Sequence, residues 1–179
     1  MGYKGIVVAV VVYESIWGTT ANLARAIGQG LSAETRVLST FEANPGAIVD
    51  ADLLVLGAPI HSFGLPSMAA IEAVRIQGFS ARSSEVGGPL MHDWLMELPP
   101  ASISAAAFET RIDDLVGEGG ALEIVEALEQ KGYRLIAPVE CFQVERLPVS
   151  PGPGGWVRPE ELERAQKWGA HLVGLVDSG

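Results

Sequence analysis

The segment at residues 15–20, which reads Ser-Ile-Trp-Gly-Thr-Thr, has the residue types and the position to bind an anion. An apolar, β-branched run predicts a strand at residues 6–13, and a helical pattern begins at Thr19. A turn between a strand and a helix aims unpaired backbone N–H groups and the positive end of the helix dipole at one spot. The hydroxyls of the segment add donors, and Gly18 allows the backbone to approach a ligand closely. The segment is therefore a candidate phosphate-binding loop.

Other motifs for phosphate binding or nucleophilic chemistry fit this segment poorly. The sequence has no GxxxxGK[ST] motif, which argues against an ordinary P-loop nucleotide hydrolase, and no GxGxxG follows the first strand. Ser15 follows a strand as a nucleophilic serine would, but the glycines of GxSxG are missing. A plain turn, in which Ser15 and Thr20 only cap the helix, remains an alternative.

Composition predicts one compact domain, residues 1–179, because 48% of the residues are hydrophobic and only 19% are charged. No apolar run approaches the roughly 20 residues of a membrane helix, and the short N-terminal run is interpreted as a buried strand rather than a signal peptide. Cys141 is the single cysteine, which excludes an internal disulfide and is typical of a cytoplasmic protein. The net charge of −10 argues against nucleic acid and anionic membranes as partners.

Strand and helix signals alternate along the chain, which predicts a parallel sheet covered by helices on both faces. Strands are predicted at residues 6–13, 35–39, 53–57, 103–108 and 135–139. Helices are predicted at residues 19–31, 68–77, 90–98, 121–130 and 160–176, with a helical turn at residues 47–50. A polar loop is expected at residues 80–89 and a surface connection at residues 148–155, which carry several prolines and glycines.

Five segments, in order along the chain, carry a resemblance to a known family. They read YESIWGTT at residues 13–20, GAPIHSFG at 57–64, WLMELP at 94–99, AFETR at 107–111 and PEELERAQKWG at 159–169. Together they resemble the flavodoxin family, and especially its small stand-alone flavodoxin-like proteins. The resemblance implies a three-layer α/β/α sandwich with a five-stranded parallel sheet of order 2-1-3-4-5. It also implies non-covalent FMN and electron transfer.

In such a sheet the ligand lies beyond the carboxyl ends of strands one and three, where the strand order reverses. The loops at residues 14–20, 58–66 and 109–112 are expected to converge there. The resemblance implies that the FMN-binding residues are Ser15, Ile16, Trp17, Gly18, Thr19, Thr20, Pro59, Ile60, His61, Ser62, Phe63, Gly64, Phe108, Glu109, Thr110 and Arg111.

Several of these residues depart from the flavodoxin pattern. Trp17 stands where flavodoxins usually have Thr or Ser, and Thr19 stands in place of the usual Asn. His61 and Phe63 follow strand three, where a flavin-stacking aromatic residue is common. No Tyr follows strand four, and Arg111 is expected either beside the flavin pyrimidine or in an ion pair with an acidic neighbour, Glu109 or Asp113.

The favoured function is an FMN-binding electron carrier that docks to redox partner proteins, as a monomer or weak homodimer. An NAD(P)H-dependent flavin or quinone reductase, and a scaffold that has lost tight FMN binding, are the alternatives. The spacing of His61, His92 and His171 indicates no metal site. Trp94 and Trp168 are expected in the core.

Overall fold

The computed structural model describes residues 7–32, 34–48, 50–60, 64–69, 71–72, 89–112, 119–146 and 155–176. The strands in this part of the chain are β1 (Ala9–Tyr13), β2 (Arg36–Ser39), β3 (Leu53–Pro59), β4 (Ser104–Ile112), β5 (Arg134–Leu135), β6 (Glu140–Arg146) and β7 (Gly155–Trp156). The helices are α1 (Thr19–Leu31), α2 (Met91–Glu97), α3 (Ala121–Gln130) and α4 (Pro159–Val176), with a 3-10 turn at Pro45–Ala47.

β1 lies inside a parallel sheet, between β2 and β3. β4 pairs with β3 on the far side, and both β5 and β6 pair in parallel with β4. The short β7 adds an antiparallel edge to β6. The predicted order 2-1-3-4-5 is therefore confirmed, with the fifth position occupied by the two-residue β5 and the seven-residue β6.

Two hydrophobic cores hold the helices on opposite faces of the sheet. α1 and α4 pack on the face that carries Val11 and Val55, whereas α2 and α3 pack on the face that carries Val12 and Leu56. The β-branched and leucine residues of β1 and β3 are buried on both sides, as a parallel sheet between two helical layers requires. The predicted three-layer architecture is confirmed.

Both predicted core tryptophans are buried. Trp94 is 1% exposed, and its indole N–H donates to the carbonyl oxygen of Ala43 at 2.8 Å. Trp168 packs edge-to-face against Phe108 and Phe142, with ring centroids 6.3 and 6.1 Å apart. These contacts anchor α2 and α4 to their respective faces of the sheet.

The fourth and fifth strands differ from the prediction. β4 does not end at residue 108 but continues to Ile112, because its second half pairs with β6, which the sequence reading missed. The bounds predicted for the fifth strand, residues 135–139, are wrong: β5 pairs with β4 only at Arg134–Leu135, and parallel pairing with β4 resumes in β6 at Glu140. Pro138 lies in the gap and has no N–H to donate to a sheet.

Other boundaries agree closely or fall outside the described residues. α1 and α3 have the predicted bounds, and the predicted turn at residues 47–50 lies slightly earlier, at Pro45–Ala47. Residues 68–69 and 71–72 are helical, as predicted, but residues 73–88 and 147–154 lie outside the described part of the chain. None of the described helices combines the length and the apolar character that crossing a membrane requires.

Glycines allow α1 and α4 to pack unusually closely. A Cβ at Gly169 would overlap the carbonyl oxygen of Ile27, and a Cβ at Gly30 would overlap that of Gln166. Both obstacles are backbone atoms, so a side-chain rotation cannot remove them. The backbones of the two helices therefore contact each other directly, and this contact fixes the position of α1 against α4.

We expect Gly169→Ala to lower the free energy of unfolding by about 1–3 kcal/mol, because the added methyl group forces two packed helices apart. Gly174 in the same helix is the matched control, since a Cβ there would meet no atom within 4 Å. Gly174→Ala should be neutral or stabilise by up to about 1 kcal/mol through helix propensity. Urea denaturation measures both, and equal effects would contradict the close contact.

Candidate functional site

The loops after β1, β3 and β4 meet at the carboxyl edge of the sheet. The N–H of Glu14 donates to the carbonyl of Gly57 at 2.9 Å, and the N–H of Ile60 donates to the carbonyl of Thr110 at 3.0 Å. These bonds continue the strand pairing beyond β1 and β3. The connection after β1 leads to α1 on one face, whereas α2 covers the other face, so a crevice opens between β1 and β3.

Ser15 organises the loop that follows β1. Its hydroxyl oxygen accepts hydrogen bonds from the N–H groups of Gly18 at 3.0 Å and Ala21 at 3.4 Å. A serine hydroxyl has one hydrogen of its own, which stays available to a ligand while the oxygen accepts. No described residue accepts the N–H groups of Thr19 and Thr20, the first two residues of α1. The loop therefore presents several donors at a helix N-terminus.

Gly18 gives the loop its shape and leaves space beside it. Its φ of 90° is in the left-handed region, which glycine adopts without steric cost. A Cβ built at this position would meet no atom of the described residues within 4 Å. The loop thus combines donors with open space beside Gly18, and the residues present fit the phosphate of FMN.

Thr20 and Thr110 link the loop to β4. Their hydroxyl oxygens are 2.9 Å apart, and the two side chains are 1% and 3% exposed. One hydroxyl donates to the other, which leaves one hydrogen of the pair for a further acceptor. If Thr110 donates to Thr20, then the hydrogen of the Thr20 hydroxyl is the one left for a further acceptor. Sequence reading named both residues but did not foresee this contact.

Glu109 and Arg111 form an ion pair on the face of β4 that faces α3. The guanidinium Nη2 lies 2.7 Å from Oε1 of Glu109, so the structure contains the ion pair that was one of the two expectations for Arg111. Oε2 of Glu109 accepts from the N–H of Ala121, at the start of α3. Burial and the negative charge of Glu109 raise the pKa of the Cys141 thiol, which therefore stays protonated at neutral pH.

The remaining predicted residues have different surroundings. Ile16 is buried, Trp17 is half-buried, and Pro59 ends β3 in the core, while Ile60 lies half-buried beside Gly119. The side chain of Phe108 is fully buried against Trp168, so only its backbone is close to the edge of the sheet. Gly64 contacts Gly120, at the start of α3. His61, Ser62 and Phe63 lie outside the described residues.

Glu14 is a charged residue of the site that sequence reasoning missed. It is 6% exposed, and its Oε2 accepts from the N–H of Met91 at 2.9 Å, at the start of α2. Its Oε1 is also buried and has no partner among the described residues. Burial raises the pKa of Glu14 to about 7, the Met91 bond opposes this shift, and the charge of Asp93 adds to it. A glutamate that directly follows a fully apolar strand was the available signal.

We expect Glu14→Gln to raise the free energy of unfolding above neutral pH and to change it little at about pH 5. Because the folded-state pKa is raised, the stabilising contribution of the neutral acid is complete below 4.5 and lost as the pH rises through about 7. The shift corresponds to roughly 3 kcal/mol at most.

Urea denaturation of the variant and the parent at about pH 5 and about pH 8 measures this difference. Glu97→Gln is the matched control, because Glu97 is exposed in α2 and the substitution removes the same charge. If Glu14→Gln and Glu97→Gln show the same pH dependence of stability, the raised pKa of Glu14 is refuted.

No protein-family profile matches the sequence, and no curated protein is similar to it at the sequence level. Solved structures are similar. A flavodoxin from the domain Archaea has 18% identity and a TM-score of 0.63, covering 94% of this chain and 98% of its own. Flavodoxin 1 from Bacillus cereus has 16% identity and a TM-score of 0.61. The match covers 93% of this chain and 97% of the flavodoxin.

A flavodoxin, WrbA-like protein from Agrobacterium tumefaciens has 18% identity and a TM-score of 0.57, covering 95% of this chain and 97% of its own. At such low identity the likeness concerns the fold, and it extends over nearly the whole length of each chain. Together with the strand order 2-1-3-4-5, it assigns the architecture. The chain is a protein of the flavodoxin-like fold.

Proposed function

We propose that the protein binds FMN non-covalently and carries electrons between redox partner proteins in the cytoplasm. The observation that carries the proposal is the loop at residues 15–20, in which the N–H groups of Thr19 and Thr20 have no acceptor among the described residues and Gly18 has open space beside it. Its position between β1 and β3 supports the proposal, since ligands of open parallel sheets bind at that crevice. When bound, FMN would supply one- and two-electron chemistry.

The residues of the loop have separate roles in this proposal. The backbone N–H groups of Thr19 and Thr20 donate to phosphate oxygens, and the Ser15 hydroxyl donates while its oxygen holds the loop closed. Thr110 orients the Thr20 hydroxyl through the hydrogen bond between the two side chains. The residues at 59–64 and 108–111 would border the flavin ring, and the Glu109–Arg111 pair would contribute a local dipole rather than an isolated positive charge.

We expect one FMN per chain and binding of riboflavin at least about a hundredfold weaker, because a hydrogen bond to a charged group contributes roughly 1.5–3 kcal/mol. An absorption spectrum of the freshly purified protein, before and after addition of FMN, tests binding, and fluorescence titrations compare the two flavins. Equal affinities would contradict a phosphate-binding role for the loop. A protein that never binds FMN would be a scaffold, and NAD(P)H oxidation with a quinone would identify a reductase.

We expect Thr20→Val to weaken FMN binding about tenfold or more, and Thr110→Val to weaken it less, because Thr110 acts through Thr20. The double variant should bind FMN no more weakly than Thr20→Val alone. Each single variant also leaves a buried hydroxyl unpaired, so both should lose about 1–3 kcal/mol of stability. FMN and riboflavin titrations of the folded variants measure this, and a larger effect of Thr110→Val would place Thr110 on the ligand.

A further inference from the structure

Glu14 lies directly before the loop that the proposed function assigns to phosphate. It precedes Ser15 in the chain, and the loop from Ser15 to Gly18 extends at most about 14 Å from it, the length of four extended residues. Glu14 is 6% exposed, so solvent and salt screen its charge less than they screen a surface charge. A buried negative charge at this position would repel a phosphate dianion.

The hydrogen bonds of Glu14 are too few for a permanently ionised carboxylate. Oε2 has one donor, the N–H of Met91, whereas buried Oε1 has no donor among the described residues. Ionised carboxylates that are stable in protein interiors usually accept several hydrogen bonds or pair with a cation. No described cation pairs with Glu14, so its charge is only partly compensated.

The surroundings of Glu14 add negative rather than positive charge. α2 contributes Asp93, whose field disfavours ionisation of Glu14. The facing residues of β3 are apolar. The pKa of Glu14, raised to about 7 by burial, places the change of charge within the physiological range.

We infer that the phosphate-binding loop takes up a phosphate dianion together with a proton, and that Glu14 holds this proton. The inference rests on the proposed phosphate site and adds a charge-selecting residue to it. The proton comes from solvent and remains on the Glu14 carboxyl while the anion is bound. By linkage, the anion raises the proton affinity of Glu14 as much as the proton raises the affinity for the anion.

The size of the effect follows from Coulomb's law. At an effective dielectric constant of about 20, one negative charge on Glu14 weakens binding about tenfold per phosphate charge if the two charges are about 12 Å apart. The effect is large above the pKa of Glu14 and vanishes below it. Riboflavin, which has no phosphate, should not experience it.

The test compares the parent with Glu14→Gln in titrations of FMN, riboflavin and inorganic phosphate at about pH 6 and about pH 8.5. The parent should bind FMN and phosphate as tightly as the variant at the lower pH and at least about tenfold more weakly at the higher pH. Ionisation of the ligand affects both proteins equally, so it cancels in the ratio of the parent's affinity to that of Glu14→Gln. The exposed-site variant Glu97→Gln should match the parent throughout.

A ratio of affinities that does not change with pH, or that changes equally for riboflavin, overturns the inference. Binding of phosphate that depends on pH as described, without binding of FMN, would uphold the role of Glu14 and refute the proposed FMN function. If neither FMN nor phosphate binds, both are refuted.

If Glu14→Gln does not fold, calorimetry of the parent replaces the comparison. Titrations in two buffers of different ionisation enthalpy give the number of protons taken up when the ligand binds. At about pH 8 calorimetry should detect about half to one proton taken up per FMN, and none with riboflavin.

Discussion

The pairing of β1 between β2 and β3 is the constraint on which the rest of the structure depends. Parallel strands end at the same edge, so the chain must cross a face of the sheet between one strand and the next. At β1 and β3 the flanking helices lie on opposite faces, which separates their loops and opens the crevice. The helix N-terminus, the hydroxyl pair and the buried acids lie there because this pairing brings their elements together.

Three polar arrangements at this edge differ in how fully their groups are paired. The hydroxyls of Thr20 and Thr110 bind each other, and the carboxylate of Glu109 has both a guanidinium and a backbone donor. Glu14 has a single backbone donor. Polar groups that bind each other add rigidity, whereas a partly paired buried acid changes its charge readily. The edge thus combines a fixed framework with one group that can respond to a ligand.

The sequence allowed a prediction of the fold but only of part of the site. The bounds of α1 and α3 could be predicted because periodic apolar residues and a following glycine or extended segment mark them locally. The extension of β4 to Ile112 depends on a distant partner strand, so local pattern did not reveal it. The Thr20–Thr110 contact joins residues 90 positions apart, and the burial of Glu14 requires α2 to lie over it. These features arise from packing rather than from local preference.

The backbone contact between α1 and α4 has a consequence for how the protein is made. α1 is the first described helix and α4 is the last, and the apolar face of α1 is completed only by residues such as Ala165 and Leu172. During synthesis from the N-terminus, this face of α1 therefore stays uncovered until residues 159–176 of α4 have been made. Closing such a long loop makes folding slow, and the nascent protein exposes an apolar helix face that a chaperone could shield until α4 has been made.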